Sequence, residues 1–177
     1  MDYNYLVDHP AVRAEFLRRF TLPYGIFCRE HAGWLAGLPV DYRRKYTQSY
    51  YEKIPYSDRL TADFIQLPFR DALEQLSKMP DVYFLTNEPG GIIHDFAHFG
   101  TEQLWAARTT GRELAEAIRT DWFEMYELWE RDMYNPNPLF GQELYAFTPD
   151  YTQAVIFTHE TDETELPETR ICLSLRP

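Results

Sequence analysis

Two short clusters in this chain bring together residue types that can do chemistry. His94-Asp95-Phe96-Ala97-His98 sets two imidazoles on either side of a carboxylate. On a helix His94 and His98 stack one turn apart and could share zinc or another divalent metal with Asp95. On a strand the same two rings face one side anyway and need be no more than partly exposed polar groups. Cys28-Arg29-Glu30-His31 places a thiol within reach of an imidazole. A thiolate nucleophile also needs an oxyanion site and an orienting acid, and nothing in the sequence marks either. A small buried cysteine beside a surface histidine is the plainer reading. Glycine-rich phosphate loops, nucleophile elbows and dinucleotide fingerprints are missing from the sequence, so no residue is assigned a catalytic role.

Charge carries more information than either cluster. The net charge is −11 and the pI near 4.8. Residues 1–78 hold 11 Lys/Arg against 10 Asp/Glu, and residues 79–177 hold 6 Arg against 18 Asp/Glu. The two parts are therefore +1 and −12. Such a chain repels phosphate backbones and anionic membranes, which argues against nucleic-acid and membrane partners. A basic, tyrosine-rich stretch from Arg43 to Lys53 could stack bases, but the overall charge opposes it. Paired carboxylates are too abundant in the second half to single out an acid–base pair, since that chemistry needs one carboxyl in an apolar pocket.

The elements that must position these groups follow from periodicity. Asp8 and Pro10 suit a helix start, and Val12, Phe16, Leu17 and Phe20 recur at helical spacing. A second short helix is expected over Ile26 to Leu35, and another helix over Phe69 to Met79. The stretch from Asp41 to Lys53 is ambiguous, and the Pro55 to Pro68 region reads as irregular connection. Val82 to Leu85 and Gln103 to Arg108 read as strands. Thr110-Gly111-Arg112-Glu113 has the form of a capping box. Leu114, Ile118, Trp122, Met125, Trp129 and Met133 then continue as one apolar stripe of a long helix. Leu144 to Phe147 and Ala154 to Phe157 flank a turn at Pro149-Asp150 as a hairpin, and Arg170 to Leu175 could add a strand. The expected fold class is α+β in one domain: a helical part over about 1–79, then a mostly antiparallel sheet with one long amphipathic helix packed on it.

Two resemblances bear on function. His94-Asp95-x-x-His98 resembles the metalloprotease H-E-x-x-H pattern with Asp in the Glu position, a shorter acid for activating water. The same spacing occurs in a quinone-biosynthesis family whose pattern continues to a distant glutamate, where this chain has Thr110. Val82-Tyr83-Phe84-Leu85-Thr86, Glu113 to Tyr134, and Glu143-Leu144-Tyr145 through Thr158-His159-Glu160 resemble small uncharacterised bacterial α+β domains of the immunity or accessory type. That likeness covers about the last half of the chain, and it implies a non-enzymatic protein. Gln153 stands where such domains carry an aromatic residue.

The expectation is thus a cytoplasmic bacterial protein-binding module, an immunity-like inhibitor of a basic partner, needing no cofactor. Cys28 and Cys172 lie far apart as free thiols, and Met1-Asp2-Tyr3-Asn4-Tyr5 lacks the basic and apolar regions of a secretory signal. Glu116, Glu124, Glu127, Asp150 and Glu160 are the expected charge complements, with Tyr151 as an aromatic anchor. The alternative is a small metal-dependent hydrolase built on His94, Asp95 and His98. Oligomeric state does not follow from the sequence.

Overall fold

A computed structural model describes residues 9–43, 46–52, 55–86, 106–119, 143–161 and 166–174. Helices α1 (His9–Phe20), α2 (Tyr24–Glu30), α3 (Ala32–Gly37), α4 (Val40–Arg43) and α5 (Gln48–Tyr51) come first. A 3-10 turn, Ser57–Arg59, leads to strand β1 (Ile65–Leu67) and helix α6 (Phe69–Lys78). Strands β2 (Val82–Thr86) and β3 (Ala106–Thr109) precede a helix, α7, over 111–119. Strands β4 (Leu144–Phe147), β5 (Ala154–Thr161) and β6 (Pro167–Cys172) complete one six-stranded sheet of order β1-β6-β5-β4-β2-β3. Every strand pair in it is antiparallel. The class is α+β.

Alternation along the strands explains why both faces of the sheet are covered. Val82, Phe84, Ala107, Leu144, Ala146, Val155, Phe157 and Ile171 point to one face. Tyr83, Leu85, Ala106, Tyr145, Phe147, Ala154, Ile156 and Cys172 point to the other. Successive strand side chains point in opposite directions, so a strand buried along its whole length, such as β4, needs packing partners on both sides. On the first face α6 supplies Phe69, Ala72, Leu73 and Leu76, and α7 supplies Leu114, Ala115 and Ile118. On the second lies α1, whose Phe16 ring centroid is 4.8 Å from Phe147 and 5.2 Å from Tyr145. One helix packed on one face was the expectation; a helix layer on each face is the finding. The run of four buried residues in β4 was its signature.

The join between α6 and α7 depends on a missing side chain. Gly111 donates its backbone N–H to the Met79 carbonyl at 3.0 Å. A Cβ there would collide with the Leu76 carbonyl and lie 2.6 Å from the Met79 oxygen. The capping box forms as expected. The Glu113 N–H donates to Thr110 Oγ1 at 3.2 Å, and the Glu113 carboxylate accepts from the Thr109 and Thr110 hydroxyls. Hydrogen bonds from Thr109 and Thr110 hold the Glu113 carboxyl below its usual range.

Three local expectations change. The helix expected over Ile26 to Leu35 is two helices broken at His31, where φ is −111° and ψ is 18°. The helical first part also contains an edge strand: Ile65, Gln66 and Leu67 pair with Ile171, Arg170 and Thr169. Three residues are too few to show a strand period, and their partners lie far along the chain. The last strand is Pro167–Cys172, starting earlier and ending sooner than Arg170 to Leu175. Of the long stripe, Leu114 and Ile118 are buried as expected; Trp122, Met125, Trp129 and Met133 lie outside the described residues.

Candidate functional site

Several ionisable groups surround Arg59, which has no exposed surface at all. The chain leaves α1 at Phe20, passes through α2 to α5, and returns at the 3-10 turn. An antiparallel bridge, Thr21 to Leu60, closes this excursion at its base. There the Leu22 N–H donates to the Arg59 carbonyl at 2.7 Å and the Thr61 N–H to the Phe20 carbonyl at 3.0 Å. The turn thus drives the Arg59 side chain into the middle of the loop it closes.

Tyrosines receive it. The guanidinium carbon lies 4.2 Å from the ring centroid of Tyr51, 4.5 Å from Tyr56 and 5.2 Å from Tyr46. Its Nη1 donates to the Tyr51 carbonyl at 3.3 Å, and its Nε is 3.8 Å from Asp58 Oδ1. An aromatic face attracts a cation through its quadrupole, more strongly once water is excluded. Burial still lowers the Arg59 pKa, with Asp58 and the tyrosines pulling the other way. Tyr46 donates its hydroxyl to Asp58 Oδ2 at 2.8 Å. Burial raises the pKa of Asp58 despite that bond and the arginine. Its side chain is 36% exposed, however, so water screens much of this cost.

Glu143 is the deeper carboxylate, 1% exposed. It accepts from the Ser57 backbone N–H at 2.8 Å, from the Ser57 hydroxyl, and from the Tyr145 hydroxyl. A buried carboxylate is tolerable when donors surround it in this way. Burial, with the Glu143 charge beside it, pushes the Tyr145 pKa well up. Arg13, on α1, is brought down to about 10 by its own burial, opposed by Tyr145. Arginine, carboxylates and phenols thus link the excursion to the sheet. Sequence reasoning missed Arg59 and Glu143. The only trace was a tyrosine-rich, helix-poor stretch ahead of Ser57-Asp58-Arg59, with no spacing rule to aim those side chains inward.

The expected binding residues that are described lie on different elements. Glu116 is exposed on α7 and paired with Arg119 at 2.6 Å. Asp150 is exposed at the β4–β5 turn, accepting from the Thr152 N–H at 3.1 Å and the Thr152 hydroxyl at 2.8 Å. A hydrogen bond from Thr148, ahead of those from Thr152, lowers its pKa. Tyr151 is half-buried at φ 57°, with its ring 5.4 Å from Phe147 and 6.3 Å from Tyr83. The turn uses it to cover Phe147 and Tyr83 on the second face of the sheet. Glu160 is exposed on β5. Glu124 and Glu127, and the whole of the His94, Asp95 and His98 cluster, lie outside the described residues. Among the described residues, no three His, Cys, Asp or Glu side chains are grouped to hold a metal ion. Cys28 and Cys172 are free thiols. The His31 Nδ1 lies 3.0 Å from the Phe27 carbonyl and its ring stacks on Phe27 at 4.4 Å. Among the described residues no helix is long and apolar enough to cross a membrane. No family model, curated protein or solved structure matches the chain.

Proposed function

We propose that this protein works by binding a basic protein, in the manner of an immunity-type neutraliser. The observation that carries the reading is the segregation of charge, +1 through residue 78 and −12 beyond it. Among the described residues after 79, seven acids face four arginines. Ion pairs such as Asp81 with Arg108, Glu116 with Arg119 and Glu168 with Arg170 cancel locally, but the acids in excess over the arginines set up a field that reaches beyond any one contact. Such a field steers a cationic partner and raises the association rate more than it deepens the final complex. The free thiols suit a reducing compartment such as the cytoplasm.

The test is partner capture with charge-reversed protein. Glu124→Lys/Glu127→Lys and Glu116→Lys/Glu160→Lys should each slow association several-fold, and raising salt through the physiological range should do the same to the parent. A captured set that is indifferent to both manipulations would end this reading.

A further inference from the structure

We infer that the described residues between 22 and 59 (22–43, 46–52 and 55–59) form a cap that opens from the sheet as one unit, and that Glu143 is its latch. The segment has its own interior. Phe27 stacks parallel to Tyr46 at 5.9 Å, Trp34 stands edge-on to Tyr46 at 5.0 Å, and Tyr51 sits between Tyr24 and Phe27 at 5.2 Å from each. Among the described residues, Phe27, Trp34, Tyr46 and Tyr51 stack only on rings within this segment. Phe27, Tyr51 and Tyr56 are buried, yet none belongs to either of the two apolar clusters that sandwich the sheet. Its hydrogen bonds also close on themselves. The Tyr24 hydroxyl donates to the Tyr46 carbonyl, the Tyr51 hydroxyl to the Leu22 carbonyl, and Arg43 to the carbonyls of Leu38 and Ala36. Arg59 sits at the centre and holds three of the tyrosines by one charge.

Where this unit meets α1, the seam is partly open. A cleft of about 370 Å³ runs between α1 and the segment, lined by Ala14, Leu17 and Arg18 on one side and by Pro23, Tyr24 and Tyr51 on the other. Groups beside open space forfeit dispersion contacts, so this seam is weaker than the core of either part. The chain enters and leaves the segment beside the Thr21–Leu60 bridge, which acts as a hinge. Across the seam, Glu143 grips both the N–H and the hydroxyl of Ser57, 86 residues away in sequence. Cooperative units with their own contacts and a weak seam open sub-globally, at a lower free energy than the whole molecule. Opening uncovers Glu143 and Tyr145, which the closed form hides.

Native-state hydrogen exchange on the full chain tests this. The protected amides of α2, α5 and the 3-10 turn should exchange together, faster than those of β4 and β5. Glu143→Gln keeps the shape but removes the charge that strengthens both Ser57 bonds, and should speed that set about tenfold or more while leaving β4 and β5 unchanged. Ser57→Ala removes a single hydroxyl, keeps the backbone bond, and should produce the same pattern at smaller size. It decides the matter should Glu143→Gln not fold. Acceleration spread evenly over sheet and segment in either variant, or confined to Ser57 itself, would overturn the cap.

Discussion

The sheet body and the 22–59 segment solve one problem, burying aromatic rings, by different means. In the body strands such as β2, β4 and β5 alternate between two apolar layers, so Phe84 and Phe147 need only hydrophobic neighbours of suitable size. In the segment Tyr46, Tyr51 and Tyr56 surround a fully buried guanidinium, and Phe27 packs on two of them. Their packing depends on one charge staying satisfied. A core of the first kind tolerates conservative swaps and fails gradually. One of the second kind fails at a single residue, because a buried charge without partners is intolerable and partners without the charge lose their organiser.

The comparison breaks most visibly at its two centres. Phe147→Ala should cost about 3–5 kcal/mol through lost transfer energy and a cavity against Phe16, Tyr83 and Tyr151. The loss should appear in urea unfolding as one cooperative shift of the whole molecule. Arg59→Met, which keeps the stem and removes the guanidinium, should cost about 3 kcal/mol and act locally. Near-UV signals of the tyrosines should flatten while the sheet melts close to its original temperature. Equal, global losses from both variants would make the two regions one core.

Gly111→Ala sharpens the body's side of the contrast. The new methyl would meet two fixed backbone carbonyls, Leu76 and Met79, with no flexible side chain to yield. Overpacking of this kind costs about 1–3 kcal/mol. The drop should show in thermal melts and spare the segment's exchange pattern, because the clash lies on the sheet face away from α1.

Legibility from sequence follows the same division. The short apolar runs Val82 to Leu85, Leu144 to Phe147 and Ala154 to Phe157, and the T-x-x-E box at Thr110, are local signals, and each appears where expected. Strand β1 escaped because three residues carry no period and their partner is over a hundred positions away. Arg59 and Glu143 escaped for a related reason. A buried charge is defined by what surrounds it, and those groups come from Tyr46, Tyr51, Tyr56, Ser57 and Tyr145 at unrelated spacings. The acids favoured from composition were visible because they stay on the surface. Asp150 and Glu116 then turn out to be occupied with a turn and an ion pair. Composition reports how much charge there is; only the fold says which of it is already used.

Alkaline pH probes the smallest difference between the two regions. Tyr46, Tyr51 and Tyr145 all have pKa values raised by burial as the first cause, above the value near 10 of a tyrosine in water. An acid whose folded pKa is raised stabilises the fold fully below its unfolded pKa, and loses that contribution as pH climbs through the folded value. Above about pH 10 the unfolded chain therefore gives up protons that the folded chain keeps, and stability falls. Arg13 works in the opposite sense, because its folded value is brought down to about 10, so the observed slope is a difference. Tyr46→Phe removes one phenol and its 2.8 Å bond to Asp58, which should cost about 1 kcal/mol at neutral pH. The variant's stability should then fall less steeply above about pH 10 than the parent's, as followed by urea midpoints and tyrosinate absorbance. Unchanged steepness would mean that the Tyr46 hydroxyl already titrates as if in water, and the segment would no longer count as a polar core shielded by its own rings.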